Sequence, residues 1–139
     1  MTKEVFVTIE GLQKGTEEEA IIVTAPGIYH FTNGRHYIQY EEKLADSGEV
    51  SKNTIRIEPS QVVLSKKVMQ VSQMIFDLQE ITQTAYLTPY GNLMLGIKTA
   101  SINLKEELER IEVSMDYALS SEEAFLSDNS IRITVIPKL

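Results

Sequence analysis

The stretch IYHFTNGRHYIQY at residues 28–40 decides the fold class. At its centre stand Asn33, Gly34 and Arg35, and Asn and Gly tolerate the positive φ angles that a tight hairpin turn requires. The segments on either side, residues 28–32 and 36–40, are aromatic and β-branched, as paired strands usually are. The stretch therefore predicts a β-hairpin within an antiparallel sheet.

Outside this stretch the chain keeps a period of two. Apolar side chains take every second position, most clearly in residues 5–9, 93–97, 111–119 and 131–135. Because successive side chains of a strand point to opposite faces, this pattern indicates half-buried strands. Turn residues recur about every 8–12 residues, the spacing of a sandwich or a barrel.

So many short strands in 139 residues leave exposed edges unless the sheet closes on itself. We therefore predict one all-β domain over residues 1–139, a closed antiparallel barrel of about 8–10 strands. A β-sandwich is the alternative.

Three segments are less regular. We expect the apolar run at residues 20–25 to end or bend at Pro26-Gly27. Residues 68–78 do not form a single helical stripe, so a strand is favoured there over a helix. Asn103 followed by residues 104–110 resembles a capped helix of about two turns, with a polar loop as the alternative.

Composition narrows the classes of function. The formal net charge is −7, which disfavours nucleic-acid binding because that binding depends on Lys and Arg displacing counterions. The chain has no cysteine, which excludes disulfides and thiolate metal sites. No signal peptide and no membrane-spanning run of about 20 apolar residues is recognisable, so we expect a cytoplasmic protein.

No pattern in the sequence identifies a reaction. The only two histidines, His30 and His36, lie on opposite arms of the hairpin, but no spaced histidine–carboxylate motif accompanies them. The chain contains no G-x-S-x-G elbow, P-loop or G-x-G-x-x-G segment. We therefore predict no catalytic residue, no metal site and no cofactor, and favour a non-enzymatic role.

Several segments together resemble a known family. The longest is AYLTPYGNLML at residues 85–95, followed by Lys98-Thr99, by RIEVSMDY at residues 110–117 and by NSIRI at residues 129–133. These segments are similar to the bacterial YwiB-like proteins of unknown function, and the resemblance spans nearly the whole chain. It implies a closed, calycin-like (lipocalin-like) β-barrel and no assigned activity. Arg110 departs from the pattern, because a glycine is expected in the turn before the next strand.

The tyrosines suggest a role for the interior. Tyr40, Tyr86 and Tyr117 share strand faces with apolar residues, and His36 and Glu42 are in phase with Tyr40 at the two rims. A barrel of this size is either filled by its own side chains or holds one small ligand. Our first hypothesis is a small, largely apolar ligand bound by His36, Tyr40, Tyr86 and Tyr117.

The second hypothesis is a structural or interaction protein that forms a homodimer or binds a partner through an outer barrel face. It depends on apolar side chains that point away from the core in one patch. The candidates are Phe6, Tyr29, Phe31, Tyr37, Met94 and Ile136.

Overall fold

The computed structural model describes residues 3–17, 19–43, 48–68, 71–88, 91–122 and 124–138. Every regular element in these residues is a β-strand, so the predicted all-β class is confirmed. The strands are β1 Glu4–Gln13, β2 Ile21–Thr32, β3 Arg35–Lys43, β4 Val50–Ile57, β5 Gln61–Lys67, β6 Val71–Asp77, β7 Thr82–Thr88, β8 Gly91–Glu107, β9 Arg110–Ser120 and β10 Phe125–Pro137. Within the same residues no helix is long and apolar enough to cross a membrane.

The ten strands form one antiparallel sheet in the order β6-β5-β4-β3-β2-β1-β10-β9-β8-β7. The first and last strands of the chain pair with each other, and the sheet curls until β6 and β7 face each other. Side chains bridge that seam: Thr82 Oγ1 donates to the carbonyl of Ile75, and Thr84 Oγ1 donates to the carbonyl of Gln73 at 2.7 Å. The result is a nearly closed barrel, as predicted.

The hairpin at the centre of the sequence forms as expected. Asn33 has φ 54° and Gly34 has φ 75°, and Thr32 pairs directly with Arg35. The turn therefore contains two residues, and Arg35 is the first residue of β3 and lies outside the turn. We call the end of the barrel with this turn the base, and the opposite end the mouth.

Strand β2 continues through Pro26-Gly27, so the expected end of the apolar run there is wrong. The backbone N–H of Tyr29 donates to the carbonyl of Lys3 at 2.8 Å, beside β1. Because antiparallel bonds alternate along a strand, the nitrogen of Pro26 faces away from β1. The β2–β3 ladder covers Gly27 to Thr32, so Pro26 interrupts neither ladder.

Neither the short helix nor the polar loop considered for residues 104–110 forms. Residues up to Glu107 extend β8, Leu108 and Glu109 form a two-residue turn, and Arg110 opens β9 opposite Glu107. A helix of two turns has little stability of its own, whereas pairing with β9 satisfies the backbone and packs Leu104 against the core. Residues 71–77 form β6, as favoured from the sequence.

The core fills the base and middle of the barrel. Its fully buried side chains alternate along the strands as predicted: Val5, Val7, Ile38, Ile55, Ile57, Val62, Phe76, Ile97, Val113, Met115, Ile133 and Val135. Toward the mouth burial declines, and Leu93, in phase with buried Ile97, is 44% exposed. The interior is therefore densely packed below and more open above.

Gly27 lies where β2 and β3 begin to pair, and we predict that no larger residue fits there without a loss of stability. A Cβ atom there would lie 2.9 Å from the backbone oxygen of Gln39, so Gly27→Ala must push the two strands apart. We expect it to lower the free energy of unfolding by about 1–3 kcal/mol in urea titrations followed by circular dichroism. Gly11→Ala in β1 is the matched control, because a Cβ there meets nothing within 4 Å. Equal effects of the two substitutions would contradict the proposed close approach.

Candidate functional site

A cavity of about 520 Å³ occupies the mouth half of the barrel. We call it the upper cavity. Its apolar walls come from seven strands, through Ile9, Val23, Ile55, Leu64, Met74, Leu95 and Leu119, with Ala85 of an eighth. Ligand pockets in proteins typically have volumes of about 300–1,000 Å³ and are mostly apolar with a few polar groups. The upper cavity has the size and composition of such a pocket.

Beside the upper cavity, the barrel wall opens where β2 and β3 separate. Their ladder ends at the pair Gly27–Tyr40, after which β2 continues beside β1 and β3 continues beside β4. A second cavity of about 640 Å³, the outer cavity, lies at this divergence on the outside of the sheet and includes Pro26, Gln39 and Lys52 in its lining. Tyr40, Asn53 and Thr54 line both cavities and stand between them.

Tyr40 supplies a neutral phenol to the wall between the two cavities. Burial, and to a smaller extent the negative charge of Glu42, raise the pKa of Tyr40 to about 12, while the nearby amide of Asn53 acts in the opposite direction. The group therefore stays protonated in neutral solution and is able to donate or accept a hydrogen bond.

Asn53 is the least satisfied polar group of the region. Its side chain is 4% exposed, and neither its amide nitrogen nor its amide oxygen has a hydrogen-bond partner among the described residues. The Tyr40 hydroxyl is close enough for the amide to influence its pKa but does not make a well-formed bond with it. Buried amides in folded proteins are nearly always hydrogen bonded, so this one requires an explanation.

The rim of the upper cavity is polar. Lys66 Nζ lies 3.7 Å from Glu42 Oε2, and both residues line the cavity together with Ser65, Ser72 and Gln73. The two rim charges compensate each other, so a ligand reaching the interior passes polar side chains and then meets aliphatic walls.

His36 lies at the other end of the barrel. It is 5% exposed, with Nδ1 2.8 Å from the Tyr29 hydroxyl and Nε2 2.9 Å from Glu106 Oε1. With the proton on Nε2, the ring donates to Glu106 and accepts from Tyr29, which satisfies both nitrogens. Burial, then the charge of Glu106, raise the pKa of Tyr29. His36 lines neither cavity, so the structure does not bring it to Tyr40.

The remaining candidates occupy separate places. Tyr117 is partly buried, its ring packs against that of Phe76 in a T-shaped arrangement with centroids 4.8 Å apart, and burial raises its pKa. Tyr86 lies in β7 opposite Leu93, and its side chain lies outside what the structure describes. His30 is exposed and stacks on Tyr37 at 4.9 Å, on the opposite face of the sheet from His36, so the two histidines do not share a site.

The predicted outer-face set requires two corrections. Met94 and Ile136 are exposed, and Phe6 and Tyr37 are partly buried, but Tyr29 is part of the core. Phe31 is exposed at the base, but it is in phase with Tyr29 on β2 and its ring centroid lies 4.8 Å from that of His36, so it belongs to the inner face. Residues 28–31 are bulky on both faces, so their pattern could not show which face is buried. The hydrogen bond to His36 is consistent with the inward position of Tyr29.

Asn53 was missed by sequence reasoning, although one signal existed. It is in phase with Ile55 and Ile57, which places a polar amide on the face that two isoleucines bury. The pattern did not indicate that the Asn53 amide would have no hydrogen-bond partner among the described residues.

Comparisons with known proteins place the chain in a family. The family model described as "Domain of unknown function (DUF1934)" matches residues 7–133. A crystal structure of the ywiB protein from Bacillus subtilis is similar at a TM-score of 0.81 and 18% identity, over 99% of this chain and 93% of that one. At this identity the likeness shows the fold alone. No curated protein matches. The predicted resemblance to the YwiB-like proteins and the antiparallel β-barrel fold are confirmed.

The unpaired amide of Asn53 predicts that a substitution in the barrel interior raises the stability of the fold. Asn53→Leu removes a buried unpaired group, and we expect the free energy of unfolding to rise by about 1–3 kcal/mol. Asn129→Leu is the control, since Asn129 is also buried (8% exposed) but donates to Ser127 Oγ at 3.0 Å, and its replacement is expected to destabilise the fold. Chemical denaturation of both variants tests this. A loss of stability in Asn53→Leu would mean that its amide is already satisfied.

The raised pKa of Tyr40 predicts alkaline behaviour. The neutral phenol favours the folded state, so its stabilising contribution is complete below about pH 10 and is lost as the pH approaches 12. The difference in tyrosinate absorbance between the native protein and Tyr40→Phe is expected to show a step near pH 12. In denaturant the same difference is expected near pH 10. A native step near pH 10 would show that Tyr40 is not buried in this way.

Proposed function

The chain belongs to the DUF1934 family of domains of unknown function, and from the geometry of its upper cavity we propose that the protein binds a small, largely apolar ligand inside the barrel. The observation that carries the proposal is the apolar cavity of about 520 Å³ beside the buried side chain of Asn53 and the partly buried side chain of Tyr40. On the same face of β4, the positions after Asn53 are filled by the buried aliphatic side chains of Ile55 and Ile57.

The aliphatic walls supply the attraction. Apolar ligand surface removed from water contributes about 25 cal/mol per Å², so burial of a body of some 200 Å² contributes about 5 kcal/mol before the losses of association. The walls come from strands on all sides of the barrel and therefore surround the ligand.

Two polar side chains orient the ligand. Tyr40 and Asn53 lie next to each other on β3 and β4, at the wall where the cavity adjoins the outside of the sheet. Of the residues predicted from the sequence, Tyr40 remains in this proposal and Asn53 is added. His36 and Tyr117 are outside both cavities, and Tyr86 stays a prediction. A cytoplasmic location remains part of the proposal.

A second proposal is self-association through an outer face. Phe6 of β1 lies directly between Pro26 of β2 and Ile136 of β10, which forms an apolar row across three strands. Native mass spectrometry of protein purified from its own host measures the subunit number and any co-purified small molecule together. A monomer without a bound molecule would contradict both proposals.

Ligand binding is tested with a neutral fluorescent probe, N-phenyl-1-naphthylamine. The wild-type protein is expected to bind it, and Leu119→Trp, which fills the upper cavity, is expected to raise its Kd at least about tenfold, or 1.4 kcal/mol. Leu108→Trp is the control, because it adds the same indole to the exposed turn at the base. Absence of binding, or equal Kd values for the two variants, would contradict the upper cavity as the site.

A further inference from the structure

We propose that the ligand of the upper cavity is neutral and carries an amide-type group, an N–H beside a C=O, which pairs with the side chain of Asn53. This inference rests on the proposed function and specifies the class of ligand. The juxtaposition that carries it is an unpaired buried carboxamide next to an unfilled apolar cavity.

The hydrogen-bonding inventory of Asn53 selects the complementary group. A carboxamide presents a donor nitrogen and an acceptor oxygen side by side in one plane. A hydrocarbon leaves both atoms unpaired, and a carboxylate, which only accepts, leaves the Asn53 oxygen facing another acceptor. A lactam, a urea, an imide or a simple amide offers a donor and an acceptor with the same spacing, so both Asn53 atoms are satisfied at once.

The charges around Asn53 favour a neutral group. Glu42 is close enough to raise the pKa of Tyr40, so its negative field reaches this corner of the cavity and disfavours an anion. Lys66, the cation on the same rim, lies 3.7 Å from Glu42 and is already compensated. No charge of the described lining is therefore left to balance a charged head group, and burying an unbalanced charge is costly.

The proposed pairing includes a movement of Tyr40. Both Asn53 amide atoms are covered by protein, and Tyr40 is the neighbour whose hydroxyl lies near the amide. Tyr40 lies at the end of the β2–β3 ladder, and its side chain is only partly buried. Rotation of the phenol away from Asn53 exposes the amide to the upper cavity, and the freed hydroxyl remains able to bond the ligand.

The test uses three eight-carbon competitors of the same probe: octanamide, 1-octanol and octanoate. With the wild-type protein, octanamide is expected to displace N-phenyl-1-naphthylamine at a concentration at least about tenfold lower than either of the others. In Asn53→Leu the preference for octanamide over 1-octanol is expected to fall to within about threefold, with each competitor's affinity calculated from the Kd of the probe in that variant. Asn53→Ala, which removes both the donor and the acceptor of the carboxamide, provides a second variant and is expected to lose the same preference.

The outcomes separate this inference from the proposed function. If the probe binds and Leu119→Trp excludes it, but the three competitors act equally on the wild type, the cavity is a binding site and the amide assignment is overturned. A preference for octanamide that survives in both Asn53 variants also overturns it. If the probe does not bind at all, the proposed function and this inference fail together.

Discussion

Backbone pairing between β2 and β3 stops at Gly27 and Tyr40, and the shape and packing of the mouth half of the barrel depend on where it stops. Below it the two strands are joined, and the interior is filled by Ile38, Ile55 and their neighbours. Above it β2 stays with β1 and β3 stays with β4. The wall divides there, so the upper half of the barrel has fewer side chains to fill it. Gly27 permits the closest approach at the point of division, since a larger residue would meet the backbone of β3.

The barrel handles buried polar groups differently at its two ends. At the base, His36 is enclosed, but each ring nitrogen has a partner in Tyr29 or Glu106, and the cluster is complete without any ligand. Near the mouth, Asn53 is equally enclosed but has no partner among the described residues. A satisfied buried network contributes to a unique structure, whereas an unsatisfied buried amide lowers stability. This contrast is why the proposed binding site lies at the mouth.

Asn53 also illustrates how stability and binding compete. An aliphatic residue at this position would extend the core formed by Ile55 and Ile57 on the same strand. The asparagine instead carries a desolvation penalty, and the proposed ligand, with its complementary group, would remove that penalty on binding. Groups of this kind give selectivity, because a ligand that cannot pair with them leaves the penalty in place.

The sequence by itself determined the local features. Asn33-Gly34 specified a two-residue turn because both residues tolerate positive φ, and the alternation of Val5 with Val7 and of Val113 with Met115 specified which face of each strand is buried. These properties depend on residues adjacent in the chain. Around Tyr29 the side chains on both faces of the strand are bulky, so the sequence did not show which face is buried. At Asn103 the sequence resembled the start of a capped helix, but the residues form a strand. Only the tertiary structure decided where the pairing of β2 with β3 stops, that His36 and Tyr40 lie at opposite ends of the barrel, and that Asn53 has no hydrogen-bond partner among the described residues. The physical reason is that strand register and hydrogen-bond satisfaction depend on strands that are distant in the chain and meet only when the barrel forms.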